Sequence, residues 1–344
     1  MSVYNGERYL REAVDSVLNQ SYAAFEFIVI DDGSTDGSLE ILNSYRDPRI
    51  RILRNERNLG LIGSLNKGLA AAEGEYLARQ DCDDLLAPDR LARQVAYLDE
   101  HTDVVLVGTW MQLIDERGAD ITLWRYPGTD AEIRWATLFN TAVGHPSAMF
   151  RTEVAKRIGG YSSECLYAED YDLWSRLATH GKTANLPEPL QRYRVHGNTV
   201  STKNSAKQLQ TRLAISKRNI EEFTHELSPL VMQLIAQAAA PTTKNELLDT
   251  ISGYQLLLTR FRARVPLAPD VEERIVQSVV ESLSSAFQHV GWHERLSCLL
   301  KKSAFFPAKF WLRGRFLSFV LSDGLKRSIA TLLGKKSGEV LRSS

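Results

Sequence analysis

The sequence predicts an α/β fold: an open, mostly parallel sheet with helices on both faces, followed by a helical C-terminal region. Three observations carry this expectation. Short apolar runs, FEFIVI at 25–30 and EYLAR at 75–79, stop abruptly in polar acidic loops, which is how strands buried on both faces read. Between them lie segments whose apolar residues recur at helical spacing, and strands alternating with helices pack as right-handed βαβ units. From about residue 205 the helical patterns continue with no comparable strand pattern between them.

Each element follows from local chemistry. MSVYNG reads as the last residues of a strand entering a loop, so the first strand is short here or the start is late. Asn5 is placed to cap a helix whose apolar face is Leu10, Ala13, Val14, Val17 and Leu18. FEFIVI ends in DDGSTDGS (31–38), a turn-rich loop whose Ser and Asp residues can cap the helix SLEILNSY. RIRIL (49–53) is the next strand. The helix LNKGLAAAEG follows with Gly74 as its stop, and EYLAR then runs into RQDCDD. A helix starts near Pro88 with Leu91, Val95 and Leu98 on one face, and Asp84 is placed to cap it. VVLVGTWMQLID (104–115) is a strand or strand pair. QLQTRLAISKRNIEEF, NELLDTISGYQLLLTRF and VEERIVQSVVESLSSAF are helices of the C-terminal region. The chain divides into 1–204 (catalytic), 205–300 (helical) and 301–344 (basic tail).

Composition narrows the function. The 344 residues suit about two domains, and 44% hydrophobic content supports a real core. A formal net charge of zero gives no reason to expect nucleic acid as a partner. The balance is uneven, because ten Lys or Arg follow from Lys301 onward against Asp323 and Glu339 alone. That tail mixes Phe, Trp and Leu with the basic residues. It suits a helix lying on an anionic membrane surface, or a basic helical pair packed on the protein. Cys82, Cys165 and Cys298 are far apart and lack metal-ligand spacing, which fits a reducing compartment. There is no secretory signal and no run of about 18 apolar residues. The expected location is the cytoplasm, with a peripheral place on the inner membrane.

The acidic clusters carry the chemistry. In open α/β sheets ligands bind outside the carboxyl ends of the strands, and Asp31–Asp32 and Asp81–Asp83 each close a strand. Asp-x-Asp offers two oxygen ligands for Mg²⁺ or Mn²⁺, or else is a solvated loop of capping aspartates. A carboxylate at the end of FEFIVI can accept from a base imide or ribose hydroxyl, or can cap a turn. GxGxxG is absent, which disfavours a standard dinucleotide fold. In AEDYDLWSRLATHG (168–181), Glu169 and Asp170 begin a helix backed by Leu173, Trp174 and Leu177. The helix dipole favours carboxylates there, and an ionised one near an alcohol can also act as a general base. RYRVHGNTVS (192–201) places Arg194 and His196 on a strand. Arg suits phosphate, and His suits metal, phosphate or simple packing. His145 in GHPSAMF lines a pocket or packs.

Together SVYNGERYL, FEFIVIDDGSTDGS, NLGLIGSLNKGL, ARQDCDD with PDRL, GHPSAMFR, GGYSSE, AEDYDLWSRL and RYRVHGNTVS resemble the family 2 glycosyltransferases. These are inverting enzymes with the GT-A fold, here of the type that builds bacterial polysaccharides and cell-surface glycans. The resemblance spans about residues 2–201. It implies that Tyr4 lies against the nucleotide base and that Asp32, with Asp31 beside it, binds base or ribose. It implies Asp83 as main metal ligand and Asp81 as support for metal or donor sugar. Asp170 would be the catalytic base, Glu169 would place the acceptor, and Arg194 and His196 would hold diphosphate or metal. The expected partners are a nucleotide-diphosphate sugar, uridine-linked, and a glycan or lipid-linked acceptor. Family members carry a fuller first strand before the Ser-Val-Tyr-Asn position, so an upstream apolar extension is expected to stabilise the chain. Two rivals are a non-catalytic scaffold that keeps the fold and a sugar-nucleotidyltransferase. The latter generally shows a Gly-rich, Arg-containing loop where this chain has SVYNGERYL.

Overall fold

A computed structural model of the chain describes residues 1–196, 205–236 and 240–287, together with 290, 294 and 297–298. It divides into two compact units, Met1–Asn219 and Ile220–Ser344. The first unit reaches past the expected boundary at 204. The cause is helix α8 (Ser205–Glu221), whose Asn219 donates to the Thr137 carbonyl at 2.8 Å and whose Arg218 pairs with buried Asp172.

The first unit begins as predicted. β1 (Ser2–Val3), β2 (Phe27–Asp31) and β3 (Ile50–Arg54) form a parallel sheet in the order β1-β2-β3. Crossovers α1 (Leu10–Leu18) and α2 (Ser38–Ser44) connect them. α3 (Gly60–Ala71) leads to β4 (Tyr76–Ala78), and a single bridge from Ser2 to Asp81 joins this half to the rest.

The second half of the sheet is mixed rather than mostly parallel. β5 (Leu85–Leu86), β6 (Val104–Ile114), β7 (Asp120–Trp124), β8 (Met149–Arg151) and β9 (Lys182–Arg194) pair with β4 in the order β4-β8-β6-β9-β5, with β7 also on β6. Only β6–β9 is parallel in that set, and the other four pairings are antiparallel. The reason is local: β6 turns back through residues 115–119 into β7 as a hairpin, with no crossover helix between them. VVLVGTWMQLID is thus one long strand, whose register shifts around Trp110.

Helices α4 (Arg90–Glu100), α5 (Asp130–Thr137), α6 (Thr152–Arg157) and α7 (Glu169–Ala178) complete the unit. Two apolar cores confirm layers on both faces of the sheet. One gathers Leu10, Val14, Leu91 and Leu98 with Val104 and Val107 of β6. The other gathers Ile62, Leu69, Leu173 and Trp174 with Val105 and Leu106 of β6. Each such aliphatic side chain taken from water contributes about 1.5–3 kcal/mol.

Two caps differ from expectation. α1 starts at Leu10 behind Tyr9, and Asn5 instead adopts a left-handed φ of 53°. Asp84 does not cap α4. It is fully buried and accepts from the Arg194 backbone N–H at 2.8 Å and from Gln191 Nε2 at 3.2 Å.

The shortness of β1 has a visible consequence. Its ladder with β2 covers only Ile30 and Asp31. Between β2 and β4 there is a cavity of about 400 Å³, lined by Met1, Phe27, Ile28, Tyr76, Leu77 and Ala78 among others. Neither Asp83 nor Asp170 lines it.

The second unit is helical among the described residues, as predicted: the end of α8, α9 (Pro229–Ile235), α10 (Lys244–Arg264) and α11 (Pro269–Phe287). α10 starts with a capping box, Thr243 with Glu246, and buries Leu247, Ile251, Tyr254, Leu257, Leu258 and Phe261. A Cβ on Gly253 would stand 2.5 Å from Val231 Cγ1, so the glycine lets α9 approach α10 closely. No helix among the described residues is long and apolar enough to cross a membrane. The basic tail, 301–344, lies outside the described residues, as do positions 197–204 of the RYRVHGNTVS stretch.

Candidate active site

The site is assembled where β1, β2 and the loop after β4 end. Residues 5–7 are zipped to the acidic turn after β2 by hydrogen bonds. The Asn5 N–H donates to Ser34 Oγ at 3.1 Å and the Gly6 N–H to Ser38 Oγ at 2.9 Å. In return the Thr35 N–H donates to Asn5 Oδ1 at 2.8 Å and the Gly37 N–H to Glu7 Oε2 at 2.7 Å. A Cβ on Gly6 would touch Cys82 Sγ at 3.1 Å, so this loop also rests on the second acidic loop. Tyr4 stands beside this junction, 49% exposed. Asp31 is buried, with Oδ1 accepting from the Ser34 N–H and Oδ2 facing Arg54 Nε at 3.4 Å. Asp32 Oδ1 accepts from Asn55 Nδ2 at 2.7 Å and from the Leu59 N–H at 2.8 Å.

The three aspartates of RQDCDD have separate environments. Asp81 is ion-paired with Arg79, a side chain only 3% exposed whose Nε makes no hydrogen bond among the described residues. Asp83 Oδ2 is 2.9 Å from His196 Nε2. Burial, and then the charge on Asp81, push the Asp83 carboxyl up, and His196 opposes this. Asp84 lies beneath them and is pushed well up, first by burial and then by Asp81 and Asp83.

Asp83 and His196 are therefore together, on elements more than a hundred residues apart. No group of three or more metal-ligating side chains is gathered among the described residues. A cation shared with a substrate does not need one. Mg²⁺ is commonly held by one or two carboxylates while phosphates and water complete its shell. The carboxylate and imidazole present fit such a shared ion.

Arg194 is not placed to hold a diphosphate as the resemblance implies. It is 1% exposed, and its guanidinium is committed to the protein. Nε donates to the Asp83 carbonyl at 2.9 Å, Nη1 to the Glu116 carbonyl at 3.1 Å and Nη2 to Glu12 Oε2 at 2.8 Å, while the group lies over the Tyr9 ring. Below it, buried Arg90 reaches Gln191 Oε1, the Arg79 carbonyl and Gln94 Oε1. These arginines brace the acidic loop. Arg79, Arg90 and Gln191 are site-building residues that periodicity and motif spacing did not single out, since only tertiary burial gives them partners.

Glu169 and Asp170 open α7, in the position expected. Burial raises the Asp170 carboxyl to about 6, against the lowering effect of nearby backbone N–H groups and of Arg79. Glu169 rises to about 7 through burial and the charge on Asp170. The fields of Arg79 and Asp81 reach both carboxyls. His145 packs edge-on against Trp174 of α7, with ring centroids 5.9 Å apart. Its Nε2 is 3.1 Å from Tyr161 Oη, and burial followed by Arg79 pushes its pKa well below the ordinary imidazole value. At neutral pH it is an uncharged lining group. Such an arrangement can bind an anion-bearing ligand through a shared cation and can take a proton from a hydroxyl beside α7.

The sequence profile described as Glycosyl transferase family 2 matches residues 1–159. An uncharacterized glycosyltransferase of Haemophilus influenzae is 35% identical over 235 residues, 65% of this chain and 73% of its own. The O-antigen biosynthesis glycosyltransferase WbnJ of Escherichia coli is 33% identical over 215 residues, 60% of this chain and 81% of its own. Among solved structures, S. aureus TarS (residues 1–349, in complex with UDP) superposes with a TM-score of 0.52 at 18% identity, covering 88% of this chain and 86% of its own. With this sequence identity, the shared architecture and the acidic motifs in order, the chain belongs to glycosyl transferase family 2 and is a glycosyltransferase of GT-A fold.

Proposed function

We propose that this protein transfers a sugar from a nucleotide-diphosphate sugar, with uridine as the first base to test, to a hydroxyl of a glycan or lipid-linked acceptor, inverting the anomeric configuration. The observation that carries the proposal is the Glu169–Asp170 pair at the start of α7, raised by burial to about 7 and about 6 within the field of Arg79 and Asp81. A general base works best with a pKa near the operating pH. Asp170 takes the proton of the acceptor hydroxyl as it attacks the anomeric carbon from the face opposite the diphosphate. Glu169 positions the acceptor. Tyr4 lies against the base, and Asp32 with Asp31 receives base or ribose.

Asp83 and His196, with Asp81 in support, would hold Mg²⁺ or Mn²⁺, which neutralises charge on the departing diphosphate. The name of the E. coli relative supports a place in surface polysaccharide assembly. Three free cysteines fit the cytoplasm, and the basic tail fits a peripheral place on the inner membrane.

The test is a donor screen that follows nucleoside diphosphate release, with and without Mn²⁺, on the wild type and Asp170→Asn. Asp170→Asn is expected to lose turnover by a hundredfold or more, in line with general-base contributions of about 10²–10⁴. Donor affinity is expected to stay within a few fold. Near-normal turnover in that variant would refute Asp170 as the base.

A further inference from the structure

An aromatic row leads from the protein's rim toward α7, the helix that Glu169 and Asp170 open. β7 pairs with β6 through Met111–Trp124 and Leu113–Thr122, and β6 pairs with β9 through Met111–Gln191 and Leu113–Tyr193. Side chains alternate across a sheet, so Trp124, Met111, Thr122 and Tyr193 share one face. On that face Trp124 stacks against Tyr193, with centroids 6.0 Å apart and planes 20° apart, while Trp124 remains 46% exposed. A Cβ added to Gly144 would lie 2.6 Å from Met111 Sδ and 3.1 Å from Tyr126 Oη, so Tyr126 closes over Met111 at the inner end of the row. Its phenol is pushed up by burial, then by the Asp170 carboxylate, then by Tyr193. Gly144 runs directly into His145, whose ring packs edge-on against Trp174 at 5.9 Å, and Trp174 lies on α7, the helix that Glu169 and Asp170 open. The main chain at Tyr126 is held by Trp110, whose Nε1 donates to the Tyr126 carbonyl at 3.1 Å.

We propose that Trp124 and Tyr193 form a platform for a pyranose ring of the acceptor glycan, with Tyr126 on the side of that ring toward α7. The proposal rests on the glycosyltransferase reading and names a subsite for it. A pyranose turns a patch of C–H groups, made electropositive by adjacent oxygens, toward the electron-rich face of an aromatic ring. Its hydroxyls stay at the edge, where Thr122 and water can meet them. A half-exposed indole on a short strand gives little area for a protein partner. Its continuity with Tyr126, Gly144 and the His145–Trp174 contact on α7 instead favours a ligand that must reach Asp170.

The platform can be tested with methyl pyranosides of glucose, galactose, mannose, rhamnose and N-acetylglucosamine, and disaccharides of each. Binding to the full chain is followed by saturation-transfer NMR and tryptophan fluorescence. Saturable binding of at least one saccharide is expected, weakened tenfold or more by Trp124→Ala and kept within threefold by Trp124→Phe. Ile121, 56% exposed on the opposite face of β7, is the control, and Ile121→Ala should bind as the wild type does. The proposal is overturned if the wild type binds none of these saccharides, or if Trp124→Ala binds as tightly as wild type. Diphosphate release by the wild type is measured alongside. Its absence with every donor counts against the transferase reading, whereas intact release with Trp124-independent saccharide binding rejects the platform alone.

Discussion

Asp170 stands in the first turn of α7 with its carboxyl held near 6, because burial disfavours its charged form more than nearby N–H groups and Arg79 favour it. Two consequences follow from the sign of that shift. Activity should rise with pH through about 6 as the base loses its proton, and a kcat/KM profile checks this. Stability should move the other way. A carboxyl whose folded pKa exceeds its unfolded value of 3.8 favours the fold below that value and loses this contribution as pH rises through about 6. Asp170→Asn should therefore melt higher than wild type at pH 7–8, by roughly 1–3 kcal/mol, with the difference closing toward pH 4. Equal melting at pH 7.5 would show that the folded carboxyl is not perturbed. Residue types and order located Glu169 and Asp170 at the start of α7 and Asp83 in the loop after β4. The role of Arg194 was not legible, because an arginine's sequence position does not reveal whether its guanidinium faces substrate or is taken up by Glu12 and main-chain carbonyls.

At the scale of elements, hydrophobic spacing located α1, α7 and β2 correctly, since a period of 3.6 or an unbroken apolar run is set by which faces are buried. The direction of the later strands was not legible. Parallel and antiparallel neighbours can bury the same side chains, and β4, β5 and β8 are two or three residues long. β1 is the weak element. Its N-terminal ammonium donates to the Ile28 carbonyl at 2.9 Å, and burial lowers its pKa to about 5. The cavity beside it leaves apolar walls without packing partners. A chain extended ahead of Met1 by several apolar residues is expected to raise Tm by several degrees, by continuing β1 between β2 and β4 and moving the charge outward. An unchanged Tm would mean that the added residues do not enter the gap.

For the whole molecule, the question is how a chain of zero formal net charge, acidic before residue 301 and basic after it, meets its acceptor. The concentration of positive charge after Lys301 predicts that the intact protein co-sediments with liposomes containing anionic lipid and that a version ending at residue 300 does so several-fold less. Equal sedimentation would remove the tail as an anchor. The sequence by itself determined the fold class, the helical second unit and the identity of the acidic groups. Apolar period and acidic loops at strand ends are local properties that survive without knowledge of neighbours. Only the tertiary structure decided which groups meet. It set Asp83 against His196, turned Asp84 and Arg194 into buried bracing, and stacked Trp124 on Tyr193. Those pairings arise across strands and loops separated by tens to more than a hundred residues. They depend on sheet register and burial, which no local pattern encodes.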